Sequence, residues 1–510
     1  MTQHRIVMIY PQQGFSGIYV KHLPLSVLYA SIDVVKAGHE VVVFDQRLHQ
    51  NDWQAQLRTV VTPETLVVGV SVMSGAPIGH AVALSRFVKS FAPQVKVVWG
   101  GPHANFYPDT IIRDEWSCDY VVSGYASVTF NQLISALDAG VAPTDVPGIS
   151  WRDEHGALQR TPTNDKSFEL IDYREIPYHL IPDFSPYGQL DDGKVIFPMY
   201  SAVGCPYKCT FCSSPAQYAN VEGKKWVPLK AAEILDHIQY VVEKYGANYI
   251  YFIDDDSFPD LKHVDGIITG IAERKINVKL GFRGARINEI KKMSDEFLTR
   301  LAEAGTDILH IGAECGSDRI LELLKKNCTV ADIIECNRKL ARHPEIKAAY
   351  NFIMGVPTET LDELKGTRDL MLTLVDDHPN CIIFPPNKFR PLPGTALYKI
   401  AQENWNYEMP STLEAWSKIE VEGDSTAIGW YEPAVRRFFN LLLICSYFVD
   451  NKVARVVQGK TLFYSAIRLI NLLYRPIALL RMRRGWSRFL VEYHLYQAMT
   501  RLLALRSSSE

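Results

Sequence analysis

Gly204-Cys205-Pro206-Tyr207-Lys208-Cys209-Thr210-Phe211-Cys212 is the stretch on which the reading of this chain turns. Cys205, Cys209 and Cys212 fall within eight residues at a C-x3-C-x2-C spacing, directly after a strand-like run. One tight loop therefore presents three thiols. A closed tetrahedral zinc site needs four ligands, and this loop supplies three. Three thiolates can instead hold three irons of a four-iron cluster and leave the fourth open, since iron–sulfur clusters take cysteines from such short loops. Zinc completed by a distant fourth ligand is the alternative at this point.

Working outward, apolar strand patterns alternate with helical ones on both sides of the loop. Downstream the candidate strands are Met199–Val203, Tyr249–Ile253, Lys279–Arg283, Ile308–Ala313, Ala348–Met354 and Ile382–Phe389, with helix-period segments between them. Six β/α units predict a (β/α)6 partial barrel over 196–409, with its active site at the carboxyl ends of the strands. Upstream, Arg5–Tyr10, Glu40–Asp45, Leu66–Val72, Val95–Trp99 and Tyr120–Ser123 are continuous Val/Ile runs separated by helices, among them a helix over Leu25–Ala37. That is the pattern of a parallel sheet buried on both faces, so residues 1–141 are expected to form a doubly wound α/β domain. Ligands of such sheets bind beyond the carboxyl ends of the strands, where the turn-rich stretches Pro11–Gly17, Ser71–Pro77, Gly100–His103 and Gly124–Ser127 fall. Residues 142–195 read as a Pro-rich linker with a short hairpin (Gly148–Arg160). Residues 410–510 read as a helical, basic C-terminal domain.

Composition narrows the class. The 510 residues are 47% hydrophobic and 22% charged, ordinary for a globular protein of several domains and unlike a disordered or fibrous chain. No signal peptide is evident at the N-terminus, and the longest apolar run, Phe438–Val449, is too short to span a bilayer; a cytoplasmic location is expected. Nine cysteines, an odd number, argue against a disulfide framework. The net charge of −3 conceals an asymmetry: Ala434–Arg506 carries 13 Lys+Arg against 2 Asp+Glu, net +11, so the remainder carries −14. A basic amphipathic end suits an anionic membrane surface, packing on the acidic body, or an acidic substrate. No nucleic-acid-binding module is recognisable, and no nucleic-acid partner is expected.

The cysteine loop resembles the signature of the radical SAM superfamily, including the aromatic Phe211, and the resemblance continues in order along the barrel. Tyr251-Phe-Ile-Asp254-Asp255-Asp256 is similar to the second-strand segment that meets the amino group of S-adenosylmethionine (SAM). Arg283 and Arg286 follow the third strand. Gly312-Ala-Glu314-Cys-Gly316-Ser317 resembles the fourth-strand motif near the methionine and ribose, Gly355-Val-Pro357-Thr-Glu359 the fifth-strand segment near the adenine, and Pro393-Gly394-Thr395 the closing turn. The resemblance implies a 4Fe–4S cluster on Cys205, Cys209 and Cys212, which are then both metal ligands and catalytic residues. It implies SAM contacts from Phe211, Asp254, Asp255, Arg286, Glu314, Ser317, Gly355 and Pro357. Carboxylates beside a sulfonium and an ammonium suit that ligand.

The first domain resembles the cobalamin-binding domain joined to one large radical SAM subclass, which implies cobalamin contacts from Ser71, Met73, Ser74, Gly100, Gly101, Pro102, His103 and Gly124. Two departures stand out. The loop Pro11–Gly17 lacks the Asp-x-His-x-x-Gly that supplies a lower-axial histidine, and His22, His39, His49 and His80 are not expected to replace it. Gly124-Tyr125-Ala126-Ser127 stands where Gly-Glu-Gly-Glu is common. Cys118, Cys315, Cys328, Cys336, Cys381 and Cys445 show no second cluster spacing and are read as bystanders. The resemblance implies a C-methyltransferase acting on an unactivated carbon of a small-molecule or lipid-like substrate and served by an electron donor such as flavodoxin or ferredoxin. An oxidative cyclase or rearrangement enzyme with the same cofactors is the alternative, and a non-enzymatic cobalamin or redox sensor a further one.

Overall fold

The computed structural model describes residues 3–13, 21–190, 193–378, 380–390, 392, 394–419, 432–450, 452 and 462–497, and of 462–464 the backbone alone. Residues 14–17 of the first strand-end loop, and Pro391 and Pro393, lie outside these. By internal compactness the chain divides into two units. One comprises Met1–Tyr187, Asn220–Gly223 and Glu408–Ser425; the other Gly188–Ala219, Lys224–Tyr407 and Thr426–Glu510.

The first unit is a sheet of β1 (Arg5–Tyr10), β2 (Glu40–Asp45), β3 (Thr65–Ser71), β4 (Lys96–Gly100) and β5 (Tyr120–Val122), all parallel in the order β2-β1-β3-β4-β5. Successive residues of β1 explain why its sequence is apolar throughout. Val7 and Ile9 sit in one core with Val68, Val70 and Trp99, while Ile6 and Met8 sit in the other with Val67 and Val98. The strand order reverses at β1, and a doubly wound sheet opens its ligand crevice beyond such a switch point.

Three features depart from the expected outline of this unit. The helix expected over Leu25–Ala37 is divided at Ser31, whose hydroxyl bonds back to the Val27 carbonyl at 2.6 Å. The hairpin expected inside the linker, β6 (Ile149–Arg152) and β7 (Leu158–Arg160), pairs antiparallel with β5 and lengthens the sheet, because Ile149 and Trp151 are apolar and buried. The helix Leu413–Ser417, expected in the C-terminal domain, buries Leu413 and Trp416 in the same core as Val7 and Trp99.

The second unit is a six-stranded parallel sheet in chain order: β8 (Ile196–Met199), then β11 (Tyr249–Phe252), β12 (Lys279–Ala285), β13 (Thr306–Glu314), β14 (Lys347–Met354) and β15 (Cys381–Ile383). The short pair β9 (Ala202–Gly204) and β10 (Trp226–Pro228) stands apart, antiparallel. The first barrel strand therefore ends at Met199, earlier than expected, and the cysteine loop follows β9. The last strand is broken: β15 stops before Pro385-Pro386, which cannot donate to the ladder, and β16 (Asn387–Lys388) resumes against β14. Along β13, Leu309, Ile311 and Ala313 are fully buried, whereas Ile308, His310 and Gly312 on the opposite face are half-open. His310 stacks there on Phe384 and meets the edge of Tyr251. That face, with the strand ends above it, is left accessible.

Candidate functional site

Gly204 ends β9 at φ +87° and turns the chain into the cysteine loop. Cys209 is buried, and Cys205 and Cys212 are half-buried. Thr210 anchors the loop: its N–H donates to the Leu324 carbonyl (3.2 Å), its hydroxyl donates to the Leu323 carbonyl (2.7 Å), and its carbonyl accepts from the Leu397 N–H (3.0 Å). Arg286, just after β12, donates from Nη1 to the Cys209 Sγ at 2.9 Å and from Nη2 to the Lys326 carbonyl at 3.0 Å, with its guanidinium 3.9 Å over the Tyr207 ring. Arg286, expected as a SAM contact, is thus engaged with the Cys209 thiol. The Cys212 Sγ accepts from the Ser214 N–H at 3.4 Å. Burial pushes the Cys205 thiol up to about 12. Next to the loop, Asp256 of the second-strand segment forms a buried acid pair with Glu289, which motif reading did not single out. Asp256 and Glu289 hydrogen-bond to each other, and burial followed by mutual repulsion holds Asp256 well above the carboxylate range. Tyr207 donates to Glu289 Oε1 at 2.7 Å.

Asp254, expected to meet an amino group of SAM, is fully enclosed and already engaged. Its carboxylate accepts from the Ser201 N–H (2.7 Å) and hydroxyl (2.6 Å), the Ala202 N–H (3.2 Å) and the Ser257 hydroxyl (3.0 Å). Its work is to tie the turn between β8 and β9 to the end of β11. Burial outweighs those donors and raises its carboxyl to about 6. Asp255 is exposed and accepts from the Tyr218 hydroxyl at 2.7 Å.

At the end of β13, Glu314 adopts φ +66° and forms a buried ion pair with Lys326 at 2.8 Å. The carboxylate expected to face SAM is therefore neutralised by a lysine that the sequence motifs did not flag, and whose Nζ lies 5.9 Å from the centre of the Phe211 ring. Gly316 and Gly366 interleave backbone to backbone, and a Cβ on either would enter the other's carbonyl. Ser317 caps the helix Asp318–Leu323 and donates to Glu363 Oε1 at 2.8 Å. After β14, Gly355 turns at φ +80° and its N–H donates to Glu359 Oε2. Pro357 is buried beside it. The Glu359 Oε1 is buried with no partner, and burial raises this carboxyl to about 8.

In the first unit the strand-end loops of β3 and β4 are laced together. Val72 N–H donates to the Gly100 carbonyl (2.8 Å) and His103 N–H to the Val72 carbonyl (3.1 Å). Gly101, at φ +97°, lies so close that a Cβ would fall 2.9 Å from the Val72 nitrogen. Ser71 pairs with Ser26 through their hydroxyls, and Met73 and Pro102 are exposed. His103, expected to touch a ligand, is fully buried: its Nδ1 meets the Ser74 hydroxyl at 2.9 Å, its ring packs against Tyr107 and Trp416, and its Nε2 has no partner. Burial lowers it to about 4, so it is neutral. Gly124 turns at φ +87° and its N–H donates to Asn105 Oδ1 at 2.9 Å.

These residues fit the groups implied. Three thiols on one loop, one beside a guanidinium, are a donor set for thiolate-ligated iron. The orphaned Glu359 oxygen marks a buried polar position with room for a donor at the end of β14. The glycine-lined, backbone-laced ends of β3, β4 and β5 form a cradle beyond the carboxyl ends of the strands, to one side of the switch at β1.

Comparisons agree. Residues 199–371 match the family model of the radical SAM superfamily and residues 17–134 that of the B12 binding domain. An uncharacterised methyltransferase of Pyrococcus horikoshii is 27% identical over 403 residues, covering 78% of this chain and 83% of that one. The anaerobic magnesium-protoporphyrin IX monomethyl ester cyclase of Rubrivivax gelatinosus is 23% identical over 401 residues (76% and 69%). Among solved structures, the radical SAM methyltransferase TsrM of Kitasatospora setae, with cobalamin and a 4Fe–4S cluster bound, superposes with a TM-score of 0.63 at 18% identity (79% and 75%). The cobalamin-dependent radical SAM enzyme OxsB with aqua-cobalamin bound gives 0.72 at 15% identity (94% and 72%).

Proposed function

We propose that this chain, which joins a B12-binding domain to a radical SAM domain and so belongs with the cobalamin-dependent radical SAM proteins, is a methyltransferase acting on an unactivated carbon of a small-molecule or lipid-like substrate. The observation that carries the reading is the occurrence in one chain of the three-thiol loop Cys205/Cys209/Cys212 and the cradle at the ends of β3, β4 and β5. Bound there, the cofactors supply reductive cleavage of SAM, hydrogen abstraction and methyl delivery, chemistry that no side chain provides.

The chain's own residues supply position and charge. Cys205, Cys209 and Cys212 would hold the 4Fe–4S cluster, which would supply the electron for SAM cleavage. Arg286 offsets negative charge at Cys209 and holds that thiol in place through its second bond to Lys326. Asp254 fixes where the loop leaves the sheet. Asp255 and Ser317 present oxygens at the strand ends, and Glu359 accepts a donor at the adenine end. Ser71, Met73, Ser74, Gly100, Gly101, Pro102 and Gly124 form the corrinoid cradle, with His103 bracing Ser74 from below. Tyr251, His310 and Phe384 form an apolar, half-open wall, with Arg283 exposed on the neighbouring strand, and this face receives the substrate. A one-electron donor such as flavodoxin or ferredoxin serves the cluster.

The test is anaerobic reconstitution with iron, sulfide and cobalamin, followed by incubation with methyl-deuterated SAM and reductant. Label recovered in the corrinoid fraction, together with a cluster absorption band that Cys209→Ala abolishes, is the expected result. An unaltered band in Cys209→Ala would overturn the cluster assignment. Cyclisation or rearrangement is the second reading, favoured by the similarity to the Rubrivivax cyclase; SAM cleavage with no label reaching corrinoid or product would select it.

A further inference from the structure

The helix Leu462–Arg484 turns apolar side chains outward. Its inner side, Ala478 and Met482, is fully buried. Its outer side repeats at helical spacing through Leu469, Leu473, Ile477 and Leu480, all about half exposed or more, Leu473 at 66%. Trp486 and Phe489 continue the exposed surface past the helix, Phe489 at 84%. Isolated exposed leucines are ordinary, but a contiguous stripe is not, and it marks a surface made to be covered.

Charge says by what. Arg484 and Arg488 stand exposed beside the stripe, as does Arg483, whose guanidinium also reaches the exposed Asp376 carboxylate at 3.4 Å. Across 462–497 the sequence has one acid, Glu492, and it is engaged by Arg481 at 2.9 Å. The upstream acid Asp450 is enclosed, paired with Lys452 and accepting the Ile383 N–H. The cover must therefore bring both apolar ground and negative charge. A second copy of this face brings only more arginines. A bilayer carrying anionic phospholipid brings both: side chains enter the acyl boundary, Trp486 suits the interface, and guanidinium forks match phosphate oxygens. No helix among the described residues is long and apolar enough to cross a membrane, and Arg468, Arg475 and Arg481 interrupt this one. We propose that the face built by Leu469, Leu473, Ile477, Leu480, Trp486 and Phe489 lies flat on an anionic membrane surface, held by Arg483, Arg484 and Arg488. This rests on the exposed face alone and stands whatever reaction the strand ends perform.

The experiment is co-sedimentation of the full chain with vesicles of phosphatidylcholine alone and with about one third phosphatidylglycerol, a membrane-scale anionic content. Binding is expected on the mixed vesicles, weak on the neutral ones, and reduced by salt. Leu473→Glu/Ile477→Glu should weaken it about tenfold or more. Arg483→Gln/Arg484→Gln should weaken it by about fivefold per arginine. Unchanged thermal unfolding shows that a variant is folded; should the glutamate pair unfold, the arginine pair carries the test. Failure of the wild-type chain to bind mixed vesicles, equal binding to neutral ones, or undiminished binding by folded variants overturns the proposal. So does a wild-type dimer that the glutamate variant dissociates while vesicle binding is absent.

Discussion

Arg286 shows how far a motif can be read at the scale of one residue. Its place after the third barrel strand marks it as part of the site, but its partner, the Cys209 thiol, comes from a loop 77 residues away. With the cluster held as proposed, a cation bonded to the Cys209 sulfur stabilises the reduced, more negative state. Arg286→Gln is therefore expected to make the cluster harder to reduce, lowering its midpoint potential in a redox titration followed by electron paramagnetic resonance. Arg286→Lys should fall between the two, keeping the charge but losing the fork to Lys326. A full complement of iron with an unmoved potential in Arg286→Gln would refute that role. Glu359 offers a second test. Its carboxyl, raised to about 8, favours the protonated form in the fold. Its contribution to stability is complete below about pH 4.5, the ordinary value, and is lost as pH rises toward 8, at most about 1.4 kcal/mol per unit. In the cofactor-free protein the melting temperature of Glu359→Gln should gain on wild type across that range; parallel pH profiles would count against it. Glu359 was visible within the fifth-strand motif. Lys326 was not, because nothing local distinguishes a lysine that neutralises Glu314 from one in water.

At the scale of elements, most strands were legible because both sheet types write themselves as apolar runs, as β1 and β13 do. The errors fall where a side chain overrides the run. Met199–Val203 reads as one strand, yet Asp254 captures the Ser201 and Ala202 amides and pairing stops at Met199. Ile382–Phe389 reads as one strand, yet Pro385-Pro386 divides it. Asp254→Ala should remove the acceptor for four donors, two of them backbone amides that stay buried, at a cost of about 1–3 kcal/mol or more. It should also reduce iron bound per chain after reconstitution, since the cysteine loop would leave the sheet without its anchor. Unchanged iron content together with an unchanged melting temperature would show that the loop holds itself.

At the scale of the whole molecule, chain order predicted two sheets and a basic end, and those are present. What order could not reveal is that Glu408–Ser425 belongs with the first unit. A Trp in a polar, Pro-flanked stretch carries no address; only folding shows Trp416 against His103 and Tyr107, 1% exposed. Trp416→Ala should destabilise the first unit by about 3–5 kcal/mol, seen as an earlier transition in calorimetry. If that transition stays in place, the helix Leu413–Ser417 is an ornament on the unit rather than part of its core.

That late-arriving tryptophan sets a timetable for synthesis. The last long helix of the first sheet is complete by Asp138, and Trp416 leaves the ribosome only some 280 residues later. At roughly 5–20 residues per second that is a delay of about 14–56 s. Throughout it the nascent sheet stands with the apolar bed of His103 and Tyr107 uncovered. A pause before residue 416 lengthens the time in which a chaperone, or another nascent chain, can occupy that bed. The yield of folded protein should therefore respond to translation speed across the barrel, a region that contributes almost nothing to the first unit itself.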